Sequence, residues 1–345
     1  MAFGILVLAR FVGHHTSEEN DPAMTVARAL REPLARVPAL LPALPGAAYL
    51  LALLAAGFAL ASPEFLSPRN LSNIALQSAA LIIVSLGMTL VILTEGIDLS
   101  LGAVLGLAGV VMGLLLVSPG TSLVLAICAA VLIGVVAGMC NGVLVAYAAM
   151  PPFIVTLGVY GIAQSLAMVL TAGNSVTGLP AAVRWFNEGN LLGMPVPILA
   201  MAAVFALTWV LLHRTRFGRY VFAIGGNRRA LELAGVPARA WLVAVYAYAG
   251  LLAAIASFIT TARMNAAHPT IAIGLEFDAI AAVILGGTSF EKGNGGIWGT
   301  LVGALAVAVL RNGLNLVGLS TEWQVAVVGL VIVGAVALDA LRGHA

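Results

Sequence analysis

The sequence predicts an all-α polytopic membrane protein with about ten transmembrane helices and both the N-terminus and C-terminus on the cytoplasmic side. Two observations set the fold class. Hydrophobic residues make up 61% of the 345 and charged residues only 9%, whereas soluble chains carry about a quarter charged residues. Apolar runs also recur at roughly the 20 residues a helix needs to cross the hydrocarbon layer. A third observation sets orientation, because the basic residues are gathered into a few short segments.

Taken in order, residues 1–45 form an expected cytoplasmic N-terminal segment. MAFGILVLARF looks like a short apolar leader, yet it lacks a basic start, and the polar GHHTSEENDP follows with no small-residue cleavage site. Residues 1–23 are therefore expected to be disordered or to precede the true start at Met24, after which Arg28, Arg31 and Arg36 lead into the first span. The transmembrane domain is expected over 46–342, with spans near 46–62, 75–94, 101–117, 121–148, 153–172, 193–212, 240–262, 275–289, 296–317 and 321–341. A re-entrant piece within 95–117 would add to that count.

The segment 213–239 holds Arg214, Arg216, Arg219, Arg228, Arg229 and Arg239 with Glu232 as its only acid, and is read as a cytoplasmic loop. With ten spans, the N-terminal arginines and Arg342 fall on that same side. So few and so localised basic residues give no footprint for nucleic acid.

Glycine spacing describes the packing. Gly134, Gly138 and Gly142 form one double GxxxG, and Gly295, Gly299 and Gly303 form another, with Gly102, Gly106, Gly109 and Gly113 in the third span. Small residues four apart let helix backbones approach in lipid, where apolar burial gives no drive to associate; packing inside one subunit is the first reading and dimerisation the second. VILTEGIDLSLGAVLG (91–106) echoes VILGGTSFEKGNGGIWG (283–299), each an apolar run interrupted by polar and Gly residues. Paired interruptions of this kind are what a transporter built from two related halves would carry. Cys128 and Cys140 are expected as buried small hydrophobes, and nothing has the spacing of a metal site.

Within the basic segment, GGNRRALELAGVP reads as a short capped helix. Asn227 is the N-cap, Arg228, Arg229, Ala230, Leu231 and Leu233 lie in the helix, and Gly235 then Pro237 stop it. Two turns do not hold alone in water, so this helix is expected to dock on a partner. No motor lies in the chain itself: Lys292 is the only lysine, and it is not in a phosphate-cradling GxxxxGK loop.

Polar residues inside apolar runs are expensive and usually face a cavity or a partner. Glu95, Asp98, Ser100, Asn141, Gln164, Arg311, Asn312 and Asn315 are the candidates for a substrate pathway or gate. Each also has a plainer reading: Asp98 or Ser100 as a helix cap, Asn141 or Gln164 as a tie between helices, Arg311 snorkelling to an interface. Glu276 and Asp278 open a span and suit its positive end.

EGIDLSLGAVLGLAG, NGVLVAYAAMPPFIVTLG, TRFGRYVFAIGGNRRALELAGVP, EFDAIAAVILGGTSF and GTLVGALAVAVLRNGLNLVGLS together resemble the permease subunits of ribose/xylose/arabinose-type bacterial ABC sugar importers, in order from about residue 70 onward. The resemblance implies an inner-membrane, multi-pass importer subunit that is not an enzyme. It implies pairing with a second permease subunit in a homodimer or heterodimer, with a cytoplasmic ATPase carrying ATP and Mg, and with a periplasmic sugar-binding protein that delivers a monosaccharide, a pentose by default. It also matches the 213–239 stretch to the ATPase-contacting loop. The chain departs from the family pattern at Glu95, where Gly or Ala is usual, at Glu291-Lys292 and at His268. A proton-coupled transporter using Glu95 and Asp98 as a relay is the alternative. An intramembrane acid/base enzyme is weaker, because no nucleophile or metal ligand lies near that pair.

Overall fold

A computed structural model of the chain describes residues 46–191, 193–289 and 293–342. The arginines expected before the first span, the boundary at Met24, Glu291-Lys292 and His344 lie outside the described residues. Apolar helices occupy each expected span: α1 (Gly46–Ala61), α2 (Pro68–Leu93), α3 (Leu101–Val117), α4 (Leu123–Ala146) and α5 (Pro152–Thr171). A short α6 (Ala181–Glu188) follows, then a two-residue hairpin of β1 (Asn190–Leu191) and β2 (Met194–Pro195). The chain continues through α7 (Val196–Arg214), α8 (Arg216–Leu233), α9 (Ala238–Met264), α10 (Leu275–Leu285), α11 (Ile297–Leu316) and α12 (Thr321–Arg342).

Among the described residues, six helices (α2, α4, α5, α7, α9 and α11) are long and apolar enough to cross a membrane. The chain is a helical polytopic membrane protein. At 11 residues α10 rises only about 16 Å, half the hydrocarbon thickness, so the expected span over 275–289 is a half-length helix. The expected loop over 213–239 is also largely helical, as α8 and the start of α9.

Local chemistry sets several starts. Ser67 caps α2 by accepting from Asn70 N at 3.2 Å ahead of Pro68, and Ser122 caps α4 by accepting from Leu125 N at 3.2 Å. α2 is the central post, with 83% of its most apolar window buried against 22% for α4, α5 and α7, which form the rim. Lipid is as apolar as a protein core, so a rim helix can leave apolar residues exposed at no cost. That is why Cys128 and Cys140, expected buried, stand exposed on α4.

The glycine ladders are seams. A Cβ at Gly134 would fall on the carbonyl of Gly250, and one at Gly138 on the carbonyl of Tyr246, so α4 and α9 pack backbone to backbone. Gly299 and Gly303 face Gly286 and Ala282 in the same way, joining α10 to α11. The α2–α11 seam is tied by side chains instead. Asn70 and Asn312 exchange two hydrogen bonds of 2.9 Å at one end, and the Thr89 and Thr300 hydroxyls meet at 2.7 Å nearer the other.

Candidate functional site

The break between α2 and α3 spans Thr94–Ser100 and is gripped from every side. α2 closes with Glu95 N bonding to Ile92 O at 2.9 Å and Gly96 N to Val91 O at 3.0 Å, the paired closure of a helix that ends on a left-handed residue. Glu95 is that residue, with φ 63°, a position where glycine is the unstrained choice. The Leu93 carbonyl sits against Gly225 of α8, and the Tyr246 hydroxyl of α9 sits against Gly96, both too close to admit a Cβ. Thr156 of α5 donates to Ile97 O at 3.2 Å.

Asp98 is 0% exposed. Its carboxylate accepts from Ser100 N at 2.9 Å, from the Ser100 hydroxyl, and from Asn141 Nδ2 of α4 at 3.4 Å; Asn141 also donates to Ser100 Oγ at 2.9 Å. A buried carboxylate needs such donors to offset the loss of water. Asp98 therefore turns the chain into α3, while Ser100, at the N-cap position, makes no side-chain cap bond.

A second irregular segment, residues 265–274, runs back along α3. Ala267, Pro269 and Ala272 face Gly113, Gly106 and Gly102 in turn. The segment then turns at Gly274 (φ 89°) into α10. Glu276, 1% exposed, accepts from Gly274 N at 3.1 Å through one oxygen. Its other oxygen lies against Gly102 and has no hydrogen-bond partner among the described residues. The first turn of α3 leaves amides unpaired and is the positive end of the helix dipole, which suits a carboxylate. Gln164 of α5 donates to Pro269 O at 3.1 Å, and its own buried oxygen is unpartnered among the described residues. The two irregular segments thus meet at the start of α3, the polar centre of an apolar bundle.

The break and the echo segment also converge. Gly225 of α8 packs on Leu93 from one and on Gly293 from the other. Two residues on, Asn227 breaks α8 (φ −163°, ψ 89°), and its Oδ1 accepts from Ala230 N at 2.9 Å, capping the segment that runs to Leu233. Gly235 (φ 78°) then reverses the chain. Leu233 is 84% exposed, Arg229 and Ala230 are exposed, Leu231 is half-buried, and Arg228 pairs with Glu232 at 3.2 Å along that surface. Between this segment and Glu95 lies a cavity of about 480 Å³.

Residues 70–336 match the family described as the permease component of branched-chain amino acid transport systems. Over 280 residues the chain is 45% identical to the ribose import permease protein of Bacillus subtilis (strain 168), covering 81% of this chain and 87% of the relative. It is 44% identical to the ribose import permease protein of Escherichia coli (strain K12) over 282 residues, 81% and 88% of the two chains. The D-allose transport system permease protein of the same strain is 36% identical over 297 residues, 86% and 91% of the two chains. No solved structure matches. The chain belongs to this family of sugar-import permeases.

The permease is a multi-pass inner-membrane transport subunit, not an enzyme, and ATP hydrolysis falls to a partner subunit. Several of its pathway candidates prove to be tied to neighbouring helices. Arg311 forms a two-point ion pair with Asp278, with both contacts at 2.6 Å. Asn312 is the α2–α11 tie, Asn315 is exposed, and the Nδ1 of His268 bonds to Thr270 in a turn. Sequence reasoning misses Asn70, Thr89, Thr156, Tyr246 and Thr300 in the permease. Each lies far along the chain from the residue it meets, and no local pattern marks it.

Proposed function

We propose that the permease is the membrane-spanning subunit of an ATP-binding-cassette importer that moves a monosaccharide, by default a pentose, into the cytoplasm by alternating access. The apolar segments cross the membrane about ten times, the irregular residues 265–274 and the half-length α10 together making one of those crossings, with α8 on the cytoplasmic side, which the positive-inside bias of its arginines supports, and both termini on that side too. A second permease subunit pairs with this one. A periplasmic binding protein hands over the sugar, and ATP with Mg is bound by the partner ATPase. The sugar specificity of the three relatives favours a sugar over the amino acids of the family description.

The observation that carries this reading is α8. Its far end is a capped, exposed segment ending in Leu233, and its middle, at Gly225, touches both breaks. A push from an ATPase on Asn227, Arg228, Arg229, Ala230, Leu231 and Leu233 would reach the α2–α3 break through the kink at Asn227 and the contacts around Gly225. The polar centre itself offers the unpartnered oxygens of Gln164 and Glu276 for weak hydrogen bonding to a passing sugar, with Asp98 and Asn141 fixing the break behind them, as suits a permease that receives its cargo from a tighter binder. A proton relay through Glu95 and Asp98 is less well supported, because the Asp98 carboxylate is fully buried and held by several donors.

The test is reconstitution with the partner ATPase and binding protein in proteoliposomes. Leu233→Asp, at an exposed position, should leave folding and assembly intact while sugar import falls at least about tenfold relative to ATP hydrolysis, since a buried charge in an interface costs a few kcal/mol. Undiminished coupled import in that variant would remove the docking role. Import that proceeds without any ATPase would favour the proton-coupled alternative.

A further inference from the structure

The cavity beside Glu95 has a chemistry of its own. Its wall includes Glu95 at the end of α2, Tyr147 after α4, Arg228 and Glu232 of α8, and Arg239 and Tyr246 of α9. Two arginines and two glutamates give it no net charge, so nothing in it selects an anion or a cation. Donors and acceptors are both present in its wall instead. The Tyr147 ring, 56% exposed, supplies a flat apolar face, of the kind that a sugar's C–H face covers. Most telling is Tyr246: the side chain is 0% exposed, yet its hydroxyl has no hydrogen-bond partner among the described residues. A buried hydroxyl left unpaired costs about 1–3 kcal/mol; this one sits against Gly96, and both Tyr246 and Gly96 line the space of about 480 Å³, ample for one monosaccharide with water.

From this geometry we infer that the cavity is a second, cytoplasm-facing binding site for a neutral polyhydroxylated solute, the imported sugar itself, and that its occupancy restrains α8. Tyr246 Oη and Glu95 hydrogen-bond the sugar's hydroxyls, Arg239 donates to them, and Tyr147 lies along the ring. Because Arg228 and Glu232 belong to the capped end of α8, a sugar in the cavity bridges that segment to the α2–α3 break and opposes their relative movement. Accumulated product therefore slows its own import. The inference rests on the importer reading and on α8 facing the cytoplasm.

The experiment uses proteoliposomes of the full complex with the ATPase facing the bulk solution, and with the binding protein and labelled D-ribose, D-allose or D-galactose in the lumen. The same unlabelled sugar is titrated into the bulk, and ATP hydrolysis and transport out of the lumen are followed together. Both rates should fall as the bulk sugar rises. The half-inhibiting concentration should rise about fivefold in Tyr246→Phe, the size of one lost hydrogen bond, and similarly in Arg239→Gln, each measured against that variant's own uninhibited rate. Transport that proceeds with no inhibition by bulk sugar, or with the same half-inhibiting concentration in wild type and both variants, overturns the cavity site while leaving the importer reading standing. Failure to move any of the three sugars overturns both.

Discussion

At the scale of single residues the informative position is Glu95. A left-handed conformation costs an L-residue about 1–2 kcal/mol, while glycine adopts it freely and loses some chain entropy instead. Glu95→Gly should therefore stabilise the permease, by about 0.5–1 kcal/mol, seen as a higher unfolding temperature in detergent. An unchanged or lower temperature would mean that the Glu95 side chain makes contacts worth as much as the strain. The caps are legible in the sequence for a simple reason: Asn227 and its Ala230 partner, or Asp98 and Ser100, lie within three positions of each other. The Asn70–Asn312 pair spans 242 positions, and no local spacing announces it. Glu276 reads from the sequence as a residue suited to a helix start, and it does sit at one, but the helix it serves is α3 as well as its own α10.

Helices are legible where hydropathy alone decides them, and less so where polarity does. α6 and the first turns of α8 carry too many polar residues to stand out from loops, and their amphipathic faces find partners only in the assembled bundle. The sequence overstates the length of α10 because the apolar run continues into Gly286 and Gly287, where the backbone has already turned away; hydropathy does not see a helix end. The glycines allow a sharp comparison between elements. Gly138 on α4 faces the backbone of α9, whereas at Gly158 on α5 an added Cβ would meet nothing within 4 Å. Gly138→Ala should cost about 1–3 kcal/mol, because a carbonyl cannot step aside as a side chain can. Gly158→Ala should instead gain up to about 1 kcal/mol from helix propensity. Thermal unfolding of the two variants in detergent should shift in opposite directions, and equal shifts would contradict the seam.

For the whole molecule, the difference between its seams decides what can move. α4 against α9 is joined by main chain at Gly134, Gly138 and Gly250, where the glycines have no side chains to change rotamer. Such a contact has a single way of fitting together, so the two helices form a fixed strut rather than a hinge. Alternation between inward and outward openings is left to contacts that can be remade, those around the α2–α3 break and the capped end of α8. A covalent staple between α4 and α9 should leave import running, whereas one between α8 and the residues around Glu95 should stop it; measured turnover of the two cross-linked forms distinguishes strut from hinge. The glycine ladder thus acts as a bearing surface: its lack of side chains holds the frame still while the rest of the machine turns.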